Sequence, residues 1–140
     1  MPLSASSLEV GQTFSAVVVE DLKRTQIVQY AGASGDYNPL HTDEIFATQV
    51  AGYPSVFAHG MLTMGMTSRM ITDLVGDGRL ETFGGRFTSQ VYPGDDLTTT
   101  ATVAALSAAG GKQLVELTLQ TVNQDGAGVF SGYATALVDP

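Results

Sequence analysis

Apolar residues recur at helical spacing in the first half of the chain and alternate at strand spacing in the second. One segment departs from that division. Gly11 precedes residues 14–19, and Val17, Val18 and Val19 form a β-branched run, so a first strand is expected there. Ile27, Tyr30 and Ala31, at i, i+3 and i+4, predict a short helix over 22–33. Residues 34–41 contain Gly35, Asp36, Asn38 and Pro39 and are expected as a loop. Residues 43–51 predict another short helix, interrupted by Gly52, Tyr53 and Pro54. The strongest helical pattern runs from Gly60 to about Val75. Leu62, Met66, Met70 and Leu74 lie on one stripe, and Met61, Met64, Ile71 and Val75 fill other sides. A helix apolar round most of its girth is expected to be buried. Gly76 and Gly78 stop it.

Four strands are expected next, over 83–92, 97–106, 113–122 and 129–138. Residues 93–96, 109–111 and 123–126 punctuate them as hairpin turns. This predicts an α+β protein in which an antiparallel sheet of about five strands wraps a long central helix. Nothing else in the chain is large enough to cover that helix. Such a sheet leaves edges that a second copy would cover, so a dimer is expected.

Composition narrows the class. The 140 residues make one domain, 1–140, and are 44% hydrophobic and 14% charged, outside the range of a disordered chain. With no cysteine, disulfide scaffolds, thiolate metal sites and cysteine nucleophiles are excluded. Six Lys and Arg against fourteen Asp and Glu give a net charge of −8, which leaves little to build a nucleic-acid-binding face. Residues 1–7 have neither the basic nor the apolar stretch of a secretory leader. Residues 45–68 carry no Asp, Glu, Lys or Arg, but Gln49, Gly52, Pro54, His59 and Gly60 break the run before it could span a membrane. A soluble, cytoplasmic protein without membrane insertion is the expectation.

Two segments carry chemistry. In Gly35-Asp36-Tyr37-Asn38-Pro39-Leu40-His41, a carboxylate, an amide and an imidazole crowd round a proline. Pro39 and Gly35 oppose a continuous helix, and a tight loop can turn Asp36 and His41 toward one point. A carboxylate and an imidazole aimed at one water can take a proton in one place and return it in another. Asn38 has both a donor and an acceptor with which to orient that pair. Asp-x-Asn-Pro is also good turn chemistry by itself, although a turn has no need of the histidine. In Ala58-His59-Gly60-Met61, at the start of the central helix, free N–H groups face a position where glycine admits close approach. That suits a developing oxyanion, such as a thioester oxygen. The plainer alternative is that Gly60 relieves crowding and His59 is a packed, hydrogen-bonded core residue. No carboxylate spacing matches a metal site on His41 and His59. The methionines are expected as core filler that could also line an acyl channel. Thr98, Thr99 and Thr100 read as ordinary strand residues, Asp95 and Asp96 as a solvated turn, and Arg79 with Arg86 as a possible phosphate grip.

Residues 30–41 resemble the hydratase-2 motif of MaoC-like (R)-specific enoyl-thioester hydratases. Ala58-His59-Gly60-Met61-Leu62 is similar to that family's second block, and Arg86-Phe87 with Val91-Tyr92-Pro93-Gly94-Asp95 to the strand and turn beyond it. The resemblance implies a single hotdog domain and a dimer with the acyl site near the subunit interface. It implies Asp36 and His41 as a water-activating dyad and the Gly60 N–H as oxyanion donor, with Asn38 and His59 in support. It implies reversible hydration of trans-2-enoyl thioesters, on coenzyme A or an acyl carrier protein, to (R)-3-hydroxyacyl thioesters. No metal or organic cofactor is expected. The partner subunit is a second copy or another hotdog chain. A hotdog thioesterase and a non-catalytic subunit are the alternatives on the same fold.

Overall fold

The computed structural model describes residues 3–140, so the first two residues of the leader reading lie outside it. Its chain order is β1 (Thr13–Val19), α1 (Arg24–Ser34), a 3₁₀ turn (Pro39–His41), a π-type turn (Phe46–Val50), α2 (Gly60–Val75), β2 (Leu80–Phe87), β3 (Leu97–Ala109), β4 (Lys112–Val122) and β5 (Gly128–Val138). The five strands form one sheet in the order β1-β3-β4-β5-β2, antiparallel throughout. It curls round α2, giving the expected hotdog fold.

The pleat explains the packing. On β3, Leu97, Thr99, Ala101 and Val103 face inward, and on β4 Val115, Leu117, Leu119 and Thr121 do the same. Alternate residues on a strand share a face, so each strand lends one face to the core. Ile71 and Val75 of α2 are wholly buried against that face. Burial of one such side chain stabilises the fold by about 1.5–3 kcal/mol. Gly110 and Gly111, with φ of 59° and 78°, form the two-residue hairpin between β3 and β4. Positive φ at both positions matches the strand twist and needs residues such as glycine.

Several expectations shift. The buried stripe of α2 is Thr63, Thr67, Met70, Ile71 and Val75, while Leu62, Met66 and Leu74 are half-buried and Met61, Arg69 and Asp73 exposed. The sheet covers one side of the helix only. β2 ends at Phe87, five residues early, because Val91 leaves the sheet to accept the Ala58 N–H in the loop before α2. Residues 93–96 are no hairpin, since β2 and β3 lie at separate places in the sheet. Asp95 is buried there, accepting from the Tyr92 N–H and the Gln124 amide at 2.9 Å each. Thr99 is no ordinary strand residue: its hydroxyl meets Thr121 at 2.7 Å, and Thr121 meets Thr67 of α2 at 2.8 Å, all three fully buried. Arg79 pairs with Asp139 at 2.9 Å and lies at the far end of β2 from Arg86. Seven residues of extended chain separate them by about 20 Å, so they make no phosphate grip together. Among the described residues, no helix is long and apolar enough to cross a membrane.

Candidate active site

Three short devices build the site. α1 stops at Gly35, whose φ of 75° turns the chain sharply where most other residues would be strained. The Asp36 carboxylate then accepts the Asn38 N–H at 3.2 Å, and the Asn38 side chain accepts the Leu40 N–H at 3.0 Å. These two Asx-type bonds, with Pro39 at the first position of the 3₁₀ turn, fold residues 36–41 back on themselves. Asn38 thus shapes the loop rather than touching the histidine ring. The fold delivers His41, only 9% exposed, beneath the exposed Asp36.

The partners of the two histidines fix their tautomers. His41 Nδ1 lies 2.6 Å from the Phe57 carbonyl oxygen. A carbonyl only accepts, so Nδ1 carries the proton and Nε2 holds a free lone pair. His59 Nε2 lies 3.0 Å from the main-chain carbonyl of Asp36 and donates to it by the same logic. His59 is 2% exposed, and its Nδ1 is the one buried side-chain polar atom without a partner among the described residues. The two imidazoles stack with centroids 3.8 Å apart and planes at 24°. Tyr30 packs edge-on against His59, and Phe57 edge-on against His41. His59 therefore braces the site in two ways, through the face of His41 and the backbone of Asp36.

Asp36, His41 and His59 each place one polar atom within 4.8 Å of the others. The loop turns Asp36 and His41 toward one point, as its residues predict, and the fold adds His59 from the start of α2. The set could be read as metal ligands, but its geometry fits poorly. Each imidazole already spends one nitrogen on a carbonyl. Stacked rings also leave little room for an ion between them. One water accepted by a carboxylate and an imidazole, at about 2.8 Å to each, spans a gap of this size.

Gly60 starts α2 beside His59. Its N–H has no intrahelical acceptor, as for any first-turn residue. It also makes no bond to another segment among the described residues. A Cβ here would lie 2.8–3.0 Å from the Phe87 ring, so glycine is required for that packing. Arg24 pairs with Glu44 at 2.5 Å, and Glu44 also accepts the Val56 N–H at 3.3 Å, tying the start of α1 to the loop before α2. The Arg24 hydrogen bond, then that of Val56, holds the Glu44 carboxyl below its usual range. Burial, then Tyr53 and Asp95, pushes the Tyr92 hydroxyl up.

Sequence reasoning missed Tyr30 and Phe57 as parts of this site. Phe57 acts through its backbone carbonyl, which no residue identity signals. Tyr30 was legible as a helix position and as the first residue of the 30–41 motif, but not as a neighbour of His59.

The MaoC like domain matches residues 6–124. The (R)-specific enoyl-CoA hydratase of Aeromonas caviae is 33% identical over 136 residues, covering 94% of this chain and 96% of that protein. The 3-hydroxyacyl-thioester dehydratase Y of Mycobacterium tuberculosis is 44% identical over 69 residues, covering 47% of this chain; the match spans 24% of that relative's length. Among solved structures, R-hydratase PhaJ1 of Pseudomonas aeruginosa superposes with a TM-score of 0.84 at 28% identity, covering 99% of this chain and 86% of that one. With a family match over most of its length and a hotdog sheet packed against α2, the chain belongs to the MaoC-like domain family.

Proposed function

We propose that this chain is an (R)-specific hydro-lyase that adds water reversibly to trans-2-enoyl thioesters, giving (R)-3-hydroxyacyl thioesters. The observation that carries this is the gathering of the His41 ring and the Asp36 carboxylate, with polar atoms within 4.8 Å of each other, while the Nδ1–Phe57 bond leaves His41 Nε2 free. A water between them is polarised by two acceptors. Its oxygen bonds to C3, and its proton passes to the pair. The C2=C3 electrons move onto the thioester oxygen, where the Gly60 N–H at the positive end of α2 stabilises the enolate-like charge. The pair then returns a proton to C2 on the same face. The similarity to the A. caviae hydratase over 94% of this chain and 96% of that protein supports the same reaction and handedness.

The carrier in this reading is coenzyme A or an acyl carrier protein, both intracellular, which gives a cytoplasmic location. The working unit is a homodimer, or a heterodimer with another hotdog chain. Among the described residues, the outer edge of β2 has no strand beside it, and Phe87 and Met61 are exposed next to Gly60 at 45% and 56%.

The test is absorbance at the enoyl-thioester band with crotonyl-CoA, alongside a thiol assay. Loss of the band without free thiol is expected. Thiol release without hydration would make the protein a thioesterase instead.

A further inference from the structure

His59 does more than a brace requires. Its Nε2 donates to the Asp36 carbonyl at 3.0 Å, and its ring lies on that of His41 with centroids 3.8 Å apart. Holding a carbonyl needs only an N–H, and filling the space needs only a ring. Histidine is the compact side chain that supplies both. Its other nitrogen stands alone: Nδ1 is sealed from solvent and has no hydrogen-bond partner among the described residues. A proton placed there would be a buried N–H without an acceptor, which is costly. The bonding therefore favours a neutral ring with its one proton on Nε2.

The surroundings of His41 are the opposite. Its Nδ1–H donates to the Phe57 carbonyl at 2.6 Å, and the Asp36 carboxylate lies in the same cluster of polar atoms. Each of these neighbours is an acceptor. When Nε2 takes a proton from water, His41 becomes a cation lying on the face of a neutral aromatic ring. A cation within about 6 Å of such a face is attracted by the ring quadrupole, more so out of water. The stack is buried, with His41 at 9% and His59 at 2% exposure.

We propose that His59 is a positioning residue for hydration, whose neutral ring face stabilises the positive charge that His41 gains from the attacking water. This rests on the hydratase reading. The proton leaves water as its oxygen bonds to C3, rests on His41 Nε2, and goes on to C2, which returns His41 to neutral. His59 neither gains nor loses a proton. The other titratable groups against the stack are Asp36, in the same loop as His41, and Tyr30 of α1, edge-on to His59 at 4.8 Å.

Three variants separate the ring face from the hydrogen bond. His59→Phe keeps the face, His59→Gln keeps an N–H for the Asp36 carbonyl, and His59→Leu has neither. Thermal melts establish folding. The readout is the pH dependence of kcat for crotonyl-CoA hydration, beside ¹⁵N spectra of His41, the one histidine left in each variant. A cation with less support forms only at lower pH, so losing the face moves the acid limb down. His59→Gln and His59→Leu should shift it by about half to one pH unit and lower kcat at neutral pH about 3- to 10-fold, with KM unchanged. His59→Phe should keep the limb where wild type has it. The His41 spectra should give the same order without substrate. A limb that follows the bond, displaced in His59→Phe and in place in His59→Gln, would overturn the proposal. So would a whole curve lowered without displacement, the mark of a loop merely loosened. His59→Gln and His59→Leu lack the same face, so either one that folds decides. Should neither fold, the wild-type spectra decide: a bare Nδ1 on His59 at the pH of turnover supports the neutral face, and a proton there refutes it. Absence of hydration by the wild type would refute the hydratase reading, and the substrate-free spectra would still judge the stack.

Discussion

Asp36→Asn separates chemistry from folding at a single atom. Asp36 is exposed, and its structural task is to accept the Asn38 N–H through Oδ1 at 3.2 Å. Asparagine keeps an oxygen acceptor of the same size, so the loop that carries His41 retains its bonds. Surface changes of this kind alter stability by about 0.5 kcal/mol or less. For a chain of this length that moves Tm by roughly 1–2 °C. The chemical loss is much larger. The amide cannot take a proton from water or return one to C2. Removing one acid–base group costs about 10²–10⁴-fold in rate, or roughly 2.7–5.4 kcal/mol of barrier. The assay is the initial rate of crotonyl-CoA hydration, run beside a thermal melt on the same preparation. Activity within tenfold of wild type in a folded Asp36→Asn protein would refute the role given to Asp36. A collapse of Tm would refute the claim that its part in folding survives as an amide.

Gly60→Ala is expected to fold, because the exposed Phe87 ring that its methyl would crowd can swing outward, but kcat/KM should fall at least about tenfold as the approach to the N–H closes. Near-normal turnover would remove Gly60 from the oxyanion role. Thr121→Val takes away the hydroxyl shared by Thr67 and Thr99 and strands buried groups, at a cost of about 1–3 kcal/mol. Calorimetry should show Tm lower by several degrees, and an unchanged Tm would mean the three hydroxyls are not bonded as described. The Glu44 carboxyl is held below its usual range in the folded protein, so its contribution is present above the unfolded value of about 4.3 and is lost as pH falls through the folded value. Glu44→Gln should therefore lower the neutral plateau of a Tm–pH curve slightly and flatten its acid limb; an identical acid limb would contradict the Arg24–Glu44 pairing.

The fold was largely legible because its two halves carry different periods. Alternation over β3 and β4, and glycines at 110 and 111, specify strands and a tight turn locally. The end of β2 was not legible, since it is set by the distant Ala58–Val91 hydrogen bond. The inward face of α2 was misjudged for a related reason. Thr63 and Thr67 look polar in sequence, yet the sheet supplies Thr99 and Thr121 as partners for Thr67, and Thr63 lines a cleft beside Gly60. At the candidate site, residue types in a short loop pointed to Asp36 and His41. The His41–His59 stack and the tautomer set by the Phe57 carbonyl depend on segments that only the fold brings together.

The central claim is hydration with a defined hand at the Asp36–His41 pair. Chiral analysis of the product formed by the wild-type protein from crotonyl-CoA tests it most directly. The account predicts 3-hydroxybutyryl-CoA of R configuration at C3, with the thioester intact. An S product, a racemate or a cleaved thioester would contradict it.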